Sequence, residues 1–428
     1  MAQEYIRGAV SLGDFKLDHG ETLTDAQLGF ACWSDDASMS APVVVLPSYF
    51  SGDAESYAPW VGADGLFDPK KYSIIAFDQF GAGLSSKPSW RDGYASWPYV
   101  TLSDCVRAQR DVLQRWGIEQ VALVAGWSMG GMQAFRWHDL YRDNVHAIFA
   151  LCATPFTSSV NRVFLQGIKS ILLDAKNPVD FDKQLPEELR LRLRTFGKVY
   201  AGWAYSIALF EHVENSSLGF RSVDELLSSW ARDHEGMSAA DLLAQLDMWL
   251  RESKPIKQCS IDDSHAIGHD GDHASHAKRQ HADSIVVAMP CETDRYFPEQ
   301  VLLDITANDP SITVVSLHSD LGHMAGHPGI REQETVAIKQ AVGKVLRSLE
   351  NVSGNALDNT MDNTSENASD STSDNTSDST SDNTSDRALG DASRSFHSAA
   401  FSTDTDAVGT LAERIKTTAC LLESSKNP

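Results

Sequence analysis

Basic residues are scarce in this chain. Its 428 residues hold 36 Lys or Arg against 59 Asp or Glu, a formal net charge of -23 at pH 7. So acidic a surface repels phosphate backbones and anionic headgroups, which argues against nucleic-acid and membrane partners. No apolar run approaches the roughly 20 residues that cross a bilayer. The opening MAQEYIRGAVSLGDF has no basic stretch followed by an apolar core, so no secretory leader is expected and the cytoplasm is the expected location. Six cysteines are scattered without the spacing of a metal site and are expected to be reduced thiols. What the chain does have is a hydrophobic fraction of 42% and enough length to bury a large core.

Strand and helix patterns alternate through the first 150 residues. Residues 42–47 (PVVVLP) form a β-branched run without polar interruption, the mark of a strand covered on both faces. Residues 73–77, 121–125 and 147–152 read as further strands, and residues 103–116 as a helix stopped by Gly117. Ahead of them, residues 15–18 and 28–33 are expected to pair as an edge hairpin. From about 155 to 255 only helix patterns appear. Ser222-Val223-Asp224-Glu225 fits a capping box, and Ser238 starts a helix whose apolar face carries Leu242, Leu243, Leu246, Trp249 and Leu250. This block reads as a helical lid inserted over the carboxyl edge of the sheet, with Phe196, Tyr200, Trp203, Tyr205, Phe210 and Trp230 as its own core. The sheet resumes at 284–289 and 312–317, and an amphipathic helix over 332–349 closes the domain. The pattern predicts an α/β fold, a mainly parallel sheet with helices on both faces, in one catalytic domain over residues 1–350.

Two segments stand apart. Residues 351–386 hold eight Asp or Glu and no Lys or Arg, with an imperfect eight-residue repeat beginning at Asp374; the whole of 351–428 is expected to be a disordered acidic tail. A short amphipathic helix over 408–422 is the one element expected within it. A polar insertion at 259–283 carries His265, His269, His273, His276 and His281, but its glycines at 268 and 271 argue for a solvated loop rather than a metal site.

The chemistry is expected where an apolar strand runs into Gly126-Trp127-Ser128-Met129-Gly130 and then into a helix from Met132. Strand, tight turn, serine, helix is the setting of a G-x-S-x-G nucleophile elbow, in which a helix N-terminus faces the serine. A serine needs a base, and the base an orienting carboxylate, in the chain order Ser, acid, His. Asp294 follows one late strand, with Glu292 as its rival. His323 follows the next, with His327 as second choice and His318 still at the strand end. The oxyanion would be held by the backbone N–H groups of Tyr49, in the loop after the first parallel strand, and Met129. Asp78 and its glycines are expected to shape a turn beside the site.

Gly126-Trp127-Ser128-Met129-Gly130-Gly131-Met132-Gln133-Ala134, Asp294-Arg295-Tyr296-Phe297-Pro298 and Gly322-His323 together resemble motifs of the homoserine O-acetyltransferase family. The resemblance covers roughly residues 42–349. It implies an α/β-hydrolase fold with a helical lid, and a ping-pong acyl transfer through Ser128. The family's lid carries an arginine for the homoserine carboxylate; here Ser206 stands in the nearest match, and Arg162 and Arg194 lie outside the motif. The loop after the first strand begins Pro47-Ser48 where the family has histidine. The segment Gly322-His323-Met324-Ala325-Gly326 looks more like the family's hydrolase relatives.

The expected function is therefore serine-dependent acyl transfer on a small-molecule ester or thioester, by an ester hydrolase or O-acyltransferase. No metal or cofactor is expected, with acetyl-CoA or another acyl-CoA open as donor and a homodimer open as assembly. A true homoserine O-acetyltransferase, or a non-catalytic binding protein on the same fold, are the alternatives.

Overall fold

The computed structural model describes residues 4–34, 41–173, 186–252, 284–307, 309–362, 415 and 418–421. Its strands are β1 (Ile6–Lys16), β2 (Thr22–Trp33), β3 (Val43–Pro47), β4 (Ser73–Phe77), β5 (Val121–Trp127), β6 (Val145–Leu151), β7 (Ile285–Met289), β8 (Ile312–Val314) and β9 (Ala419–Leu421). They form one sheet in the order β8-β7-β6-β5-β3-β4-β2-β1-β9. From β8 to β4 every pairing is parallel, while β2 joins β4, and β1 joins β2 and β9, antiparallel. Strands β3 and β4 are buried at every position. That is why they read as unbroken apolar runs: parallel strands joined by helical crossovers are covered on both faces.

The first two helices, α1 (Leu102–Arg115) and α2 (Met129–Leu140), pack on each other, and α2 lies on β5 and β6. The insertion after β6 is helical, with α3 (Ser159–Leu172), α4 (Pro186–Ala204), α5 (Ile207–Glu211), α6 (Val223–His234) and α7 (Ala239–Arg251). Its starts follow the capping chemistry: Ser222 Oγ accepts from Glu225 N and Ser238 Oγ from Asp241 N. The lid rests on the loops at the carboxyl ends of the strands. Tyr296 Oη donates to Tyr200 O of α4, and Gln245 of α7 donates to Gly81 O. After β7 come α8 (Glu299–Thr306) and α9 (Glu332–Asp362).

Several boundaries differ from the sequence reading. The N-terminal hairpin is longer than expected and pairs differently: residues 28–32 lie opposite residues 6–10, and Phe15 lies opposite Leu23. Irregularities between Ser11 and Gly13, and again between Gly13 and Phe15, break the alternation that would have revealed β1. The hairpin lies at the end of the sheet, with β2 hydrogen-bonded to β4 and β1 covered by the three residues of β9. The last helix runs past Leu349 to Asp362, and the expected helix over 408–422 gives way to β9 at its C-terminal end. The His-rich insertion and the acidic repeats lie outside the described residues. Among the described residues, no helix is long and apolar enough to cross a membrane.

Strand β9 closes the β1 edge of the sheet. Ile415 just before it is fully buried, and Trp116 Nε1 donates to Thr418 Oγ1 at 2.8 Å. Removing a buried isoleucine costs about 2–5 kcal/mol, and each kcal/mol moves Tm by roughly 2–4 °C. A chain ending at residue 410 should therefore melt several degrees below the full chain in calorimetry. An equal Tm would mean that the strand contributes nothing.

Candidate active site

Strand β5 delivers Ser128 to the start of α2 through a strained turn. Ser128 has φ 58° and ψ -127°, a conformation that few non-glycine residues adopt and that costs about 1–3 kcal/mol. The turn closes only because its neighbours lack side chains. A Cβ on Gly126 would lie 2.2 Å from the Gly130 carbonyl carbon, and one on Gly130 would lie 2.3 Å from Pro47 O. Tyr57 ties the turn to β3, donating to Pro47 O at 2.8 Å and accepting from Trp127 N at 3.2 Å. The helix begins at Met129 rather than Met132, so its first free N–H groups stand directly beside Ser128.

The acid loop after β7 and the turn after β8 converge on this serine. His323 Nε2 lies 3.0 Å from Ser128 Oγ, and His323 Nδ1 lies 2.8 Å from Asp294 Oδ2. Asp294 Oδ1 accepts from the N–H groups of Tyr296 at 2.7 Å and Phe297 at 3.0 Å. Thr293 Oγ1 joins the two loops, donating to Ser319 O at 2.6 Å and accepting from Gly322 N at 3.1 Å. All three side chains are buried, at 3% exposure for Ser128, 4% for Asp294 and 1% for His323. Aromatic rings surround the imidazole: Trp127 at 4.9 Å, Tyr296 at 4.5 Å and Phe297 at 5.6 Å between centroids. Trp127 Nε1 also donates to His323 O at 3.2 Å, fixing the histidine turn on the elbow.

The rival residues go elsewhere. Glu292 pairs with the exposed His318 at 2.9 Å, away from Ser128. His327 packs edge-on to Trp127, 5.0 Å between centroids, and makes no hydrogen bond to Ser128 or Asp294. Asp78 accepts from Arg7, Ala54 N and Leu84 N, a structural post under the neighbouring turns. Tyr49 N–H and Met129 N–H have no acceptor among the described residues, and neither does Phe50 N–H. Cys152 and Cys291 also lie near Asp294. Burial, with that carboxylate adding to it, pushes Cys152 well above the usual thiol range and Cys291 to about 11, so both stay protonated and are poor nucleophiles.

Of the lid aromatics, read as the lid's own core with some able to line a pocket, Tyr200 reaches the site. Tyr200 stacks on Tyr296 at 5.4 Å and meets Phe50 at 5.4 Å. Three glutamines went unnoticed as part of the site: Gln79, Gln133 and Gln245 are buried and bonded to one another or to the loop that carries Tyr49. A faint trace existed, since Gln245 interrupts the apolar face of its helix and Gln133 sits one residue past the elbow's glycines and Met132.

A family model of the α/β-hydrolase fold matches residues 41–211. A probable esterase of Corynebacterium glutamicum is 25% identical over 75% of this chain and 89% of its own length. An ethyl acetate hydrolase of Pseudomonas veronii is 26% identical over 74% of this chain and 88% of its own. A homoserine O-acetyltransferase of Chlorobium chlorochromatii is 32% identical, over 33% of this chain and 42% of its own. Among solved structures, an acetylester hydrolase from Corynebacterium glutamicum matches with a TM-score of 0.69 at 22% identity, covering 80% of this chain and 96% of that one. The chain has the α/β-hydrolase fold. It is an α/β-hydrolase-fold enzyme, similar in sequence to esterases and to homoserine O-acetyltransferases.

The crowding around the elbow has a pH consequence. Burial lowers His327 from 6.5 to about 4, and the neighbouring His323 adds to this. Between those two values the ring is neutral when folded and protonated when unfolded. Unfolding then takes up a proton, so stability falls as pH drops through this window. In His327→Asn that contribution is gone, and its Tm should decline less steeply than the wild type's from pH 6.5 to 4. Parallel declines would assign the acid sensitivity to other groups.

Proposed function

We propose that this enzyme hydrolyses esters of short acyl groups with small alcohols, through Ser128 as nucleophile, His323 as general base and acid, and Asp294 as the orienting carboxylate. The reading rests above all on the continuous path from Ser128 Oγ through His323 to Asp294, at 3.0 and 2.8 Å. Asp294 Oδ1 is already occupied by two backbone N–H groups, so the carboxylate presents Oδ2 to Nδ1. The proton then sits on Nδ1, and Nε2 keeps the lone pair that accepts the serine proton.

As Ser128 Oγ attacks the ester carbonyl, its proton passes to His323 Nε2. The developing oxyanion is held by the N–H groups of Tyr49 and Met129, for which no other acceptor competes among the described residues. Collapse expels the alcohol, which leaves with the proton from Nε2, and the acyl group stays on Ser128. Water then attacks with Nε2 as base and the acid is released, restoring the serine.

Water is the favoured acceptor because Ser206 stands at the position of the family's arginine and neither Arg162 nor Arg194 is left unpaired to take its place. Ser206 Oγ accepts from Leu209 N and donates to Asp320 O, so it caps α5 and docks the histidine turn. Arg162 donates to Leu250 O and Arg194 pairs with Glu235. In sequence, the probable esterase and the ethyl acetate hydrolase are matched over 89% and 88% of their length, whereas the homoserine O-acetyltransferase of Chlorobium chlorochromatii is matched over 42% of its own.

Ser128→Ala should lower hydrolysis of p-nitrophenyl acetate by roughly 10⁴-fold or more, and Asp294→Asn by about 10³–10⁴-fold. His318→Ala should leave the rate unchanged. Full turnover by Ser128→Ala would end this reading. A chase on the acetylated enzyme separates the acceptors: release at the same rate with and without homoserine marks a hydrolase, and acceleration by homoserine marks a transferase.

A further inference from the structure

The loop that carries the Tyr49 N–H is held by side chains from three directions. Gln133 Nε2, on α2, donates to Ser48 O at 2.9 Å. Gln79 Nε2, just after β4, donates to Tyr49 O at 3.2 Å. Gln245 Oε1, on lid helix α7, accepts from Ser51 N at 2.9 Å. Each peptide group is planar, so fixing Ser48 O fixes the direction of the Tyr49 N–H on the far side of the same plane. Fixing Tyr49 O likewise removes rotation about Tyr49 itself. Among the described residues, the N–H groups of Tyr49 and Phe50 in this stretch meet no acceptor.

Gln245 binds this arrangement together. Its Oε1 accepts from both Ser51 N and Gln79 Nε2, the latter at 2.9 Å, so it also aims the side chain that holds Tyr49 O. Its Nε2 donates to Gly81 O at 2.8 Å, which anchors it on the turn after β4. Ser51 has φ 61°, a left-handed conformation that a serine keeps only when its surroundings enforce it. Gln245 is buried at 3% exposure, and its amide is committed on both faces.

We propose that Gln245 is a positioning residue of the acyl-transfer site, through which lid helix α7 holds the Ser48–Ser51 loop in the conformation that aims the Tyr49 N–H at the oxyanion. The inference rests on the reading of Tyr49 as an oxyanion donor. It makes the lid part of the machinery as well as a wall: the elbow supplies one donor from the core, and the other is in register only while α7 is docked. A group held this way stabilises charge that exists only in the transition state. Its loss should therefore appear in kcat rather than in KM.

The test compares wild type, Gln245→Met, Gln245→Glu and Ser128→Ala. For each variant, p-nitrophenyl acetate kinetics, thermal melting and inhibition by a methyl trifluoromethyl ketone are measured. The ketone's adduct on the serine places an oxyanion in the hole. Gln245→Met keeps the volume and loses the hydrogen bonds. We expect its kcat to fall about 10- to 100-fold with KM nearly unchanged, and its ketone Ki to rise by a similar factor. Gln245→Glu keeps both Oε1 acceptor bonds, to Ser51 N and Gln79 Nε2, and as the protonated acid can still donate to Gly81 O, so it should recover most of both. A role in packing alone would lower Tm in the methionine variant without moving Ki in step with kcat. Wild-type kcat and Ki in folded Gln245→Met would overturn the inference, as would equal loss in the Met and Glu variants. If Gln245→Met does not fold, Gln245→Asn, one methylene too short to reach the loop, is read in the same way. If Ser128→Ala hydrolyses as fast as wild type, the proposed function fails and the inference with it. If Ser128→Ala is inactive and Gln245→Met matches wild type, the inference fails alone.

Discussion

Ser128 can meet His323 only because the backbone at the end of β5 turns through a left-handed conformation that the residues around it enforce. The rest of the molecule can be understood as what makes that turn tolerable. Gly126 and Gly130 leave room where any Cβ would strike the backbone, and Tyr57 bonds the elbow to the end of β3. Strands β3 and β6 flank β5 with parallel ladders, so the strand cannot relax sideways to relieve the turn. The strain is small beside the burial of the surrounding sheet, and it puts a hydroxyl at a helix N-terminus with a free N–H beside it.

The partners of that hydroxyl come from far away in the chain, and their registration depends on short bonds between loops. Asp294 and His323 sit on loops after neighbouring strands β7 and β8, so the sheet brings them to the same edge as Ser128. Parallel strands alone would leave the loops free to slide. Thr293 pins the acid loop to the histidine turn, and Trp127 Nε1 pins that turn to the elbow. The lid adds the third constraint, since Tyr296 Oη donates to Tyr200 O and Arg295 to Gly202 O, both on α4. Gly322 approaches so close to the lid that a Cβ there would lie 2.6 Å from Ser206 N. Ser206 thus does structural work at the point where the lid meets the histidine turn.

How much of this was legible in the sequence follows from how local each signal is. Parallel strands are buried on both faces, so β3 to β7 stood out as short apolar runs, and the elbow's glycines and serine are adjacent in the chain. The acid and histidine could be narrowed to two loops because the order along the sheet matches the order along the chain. Asp294 and Glu292 are told apart partly by local geometry, since the N–H groups of Tyr296 and Phe297 two and three residues on cradle one carboxylate, and partly by distant His318, which draws the other outward. The N-terminal hairpin was misjudged because irregularities at Gly13 disturb the two-residue period. Strand β9 was invisible because three residues after a long polar stretch carry no period of their own. The glutamine cluster left almost no mark, since Gln79 and Gln245 are 166 residues apart and an isolated glutamine looks like any surface residue.

That buried polar cluster bears on why a lid of this composition suits hydrolysis. A transferase for a carboxylated acceptor needs a cation inside the lid, and a guanidinium there must be desolvated and matched by its ligand on every cycle. Here the lid's buried groups at the site's edge are amides and hydroxyls that bond within the protein: Gln245 to the loop after β3, and Ser206 to the histidine turn. They remain satisfied whether or not an acceptor is bound, so water can serve as acceptor without leaving a buried charge unpaired. A lid built in this way covers the site with groups that are bonded within the protein, and it leaves the N–H groups of Tyr49 and Met129 without an acceptor among the described residues.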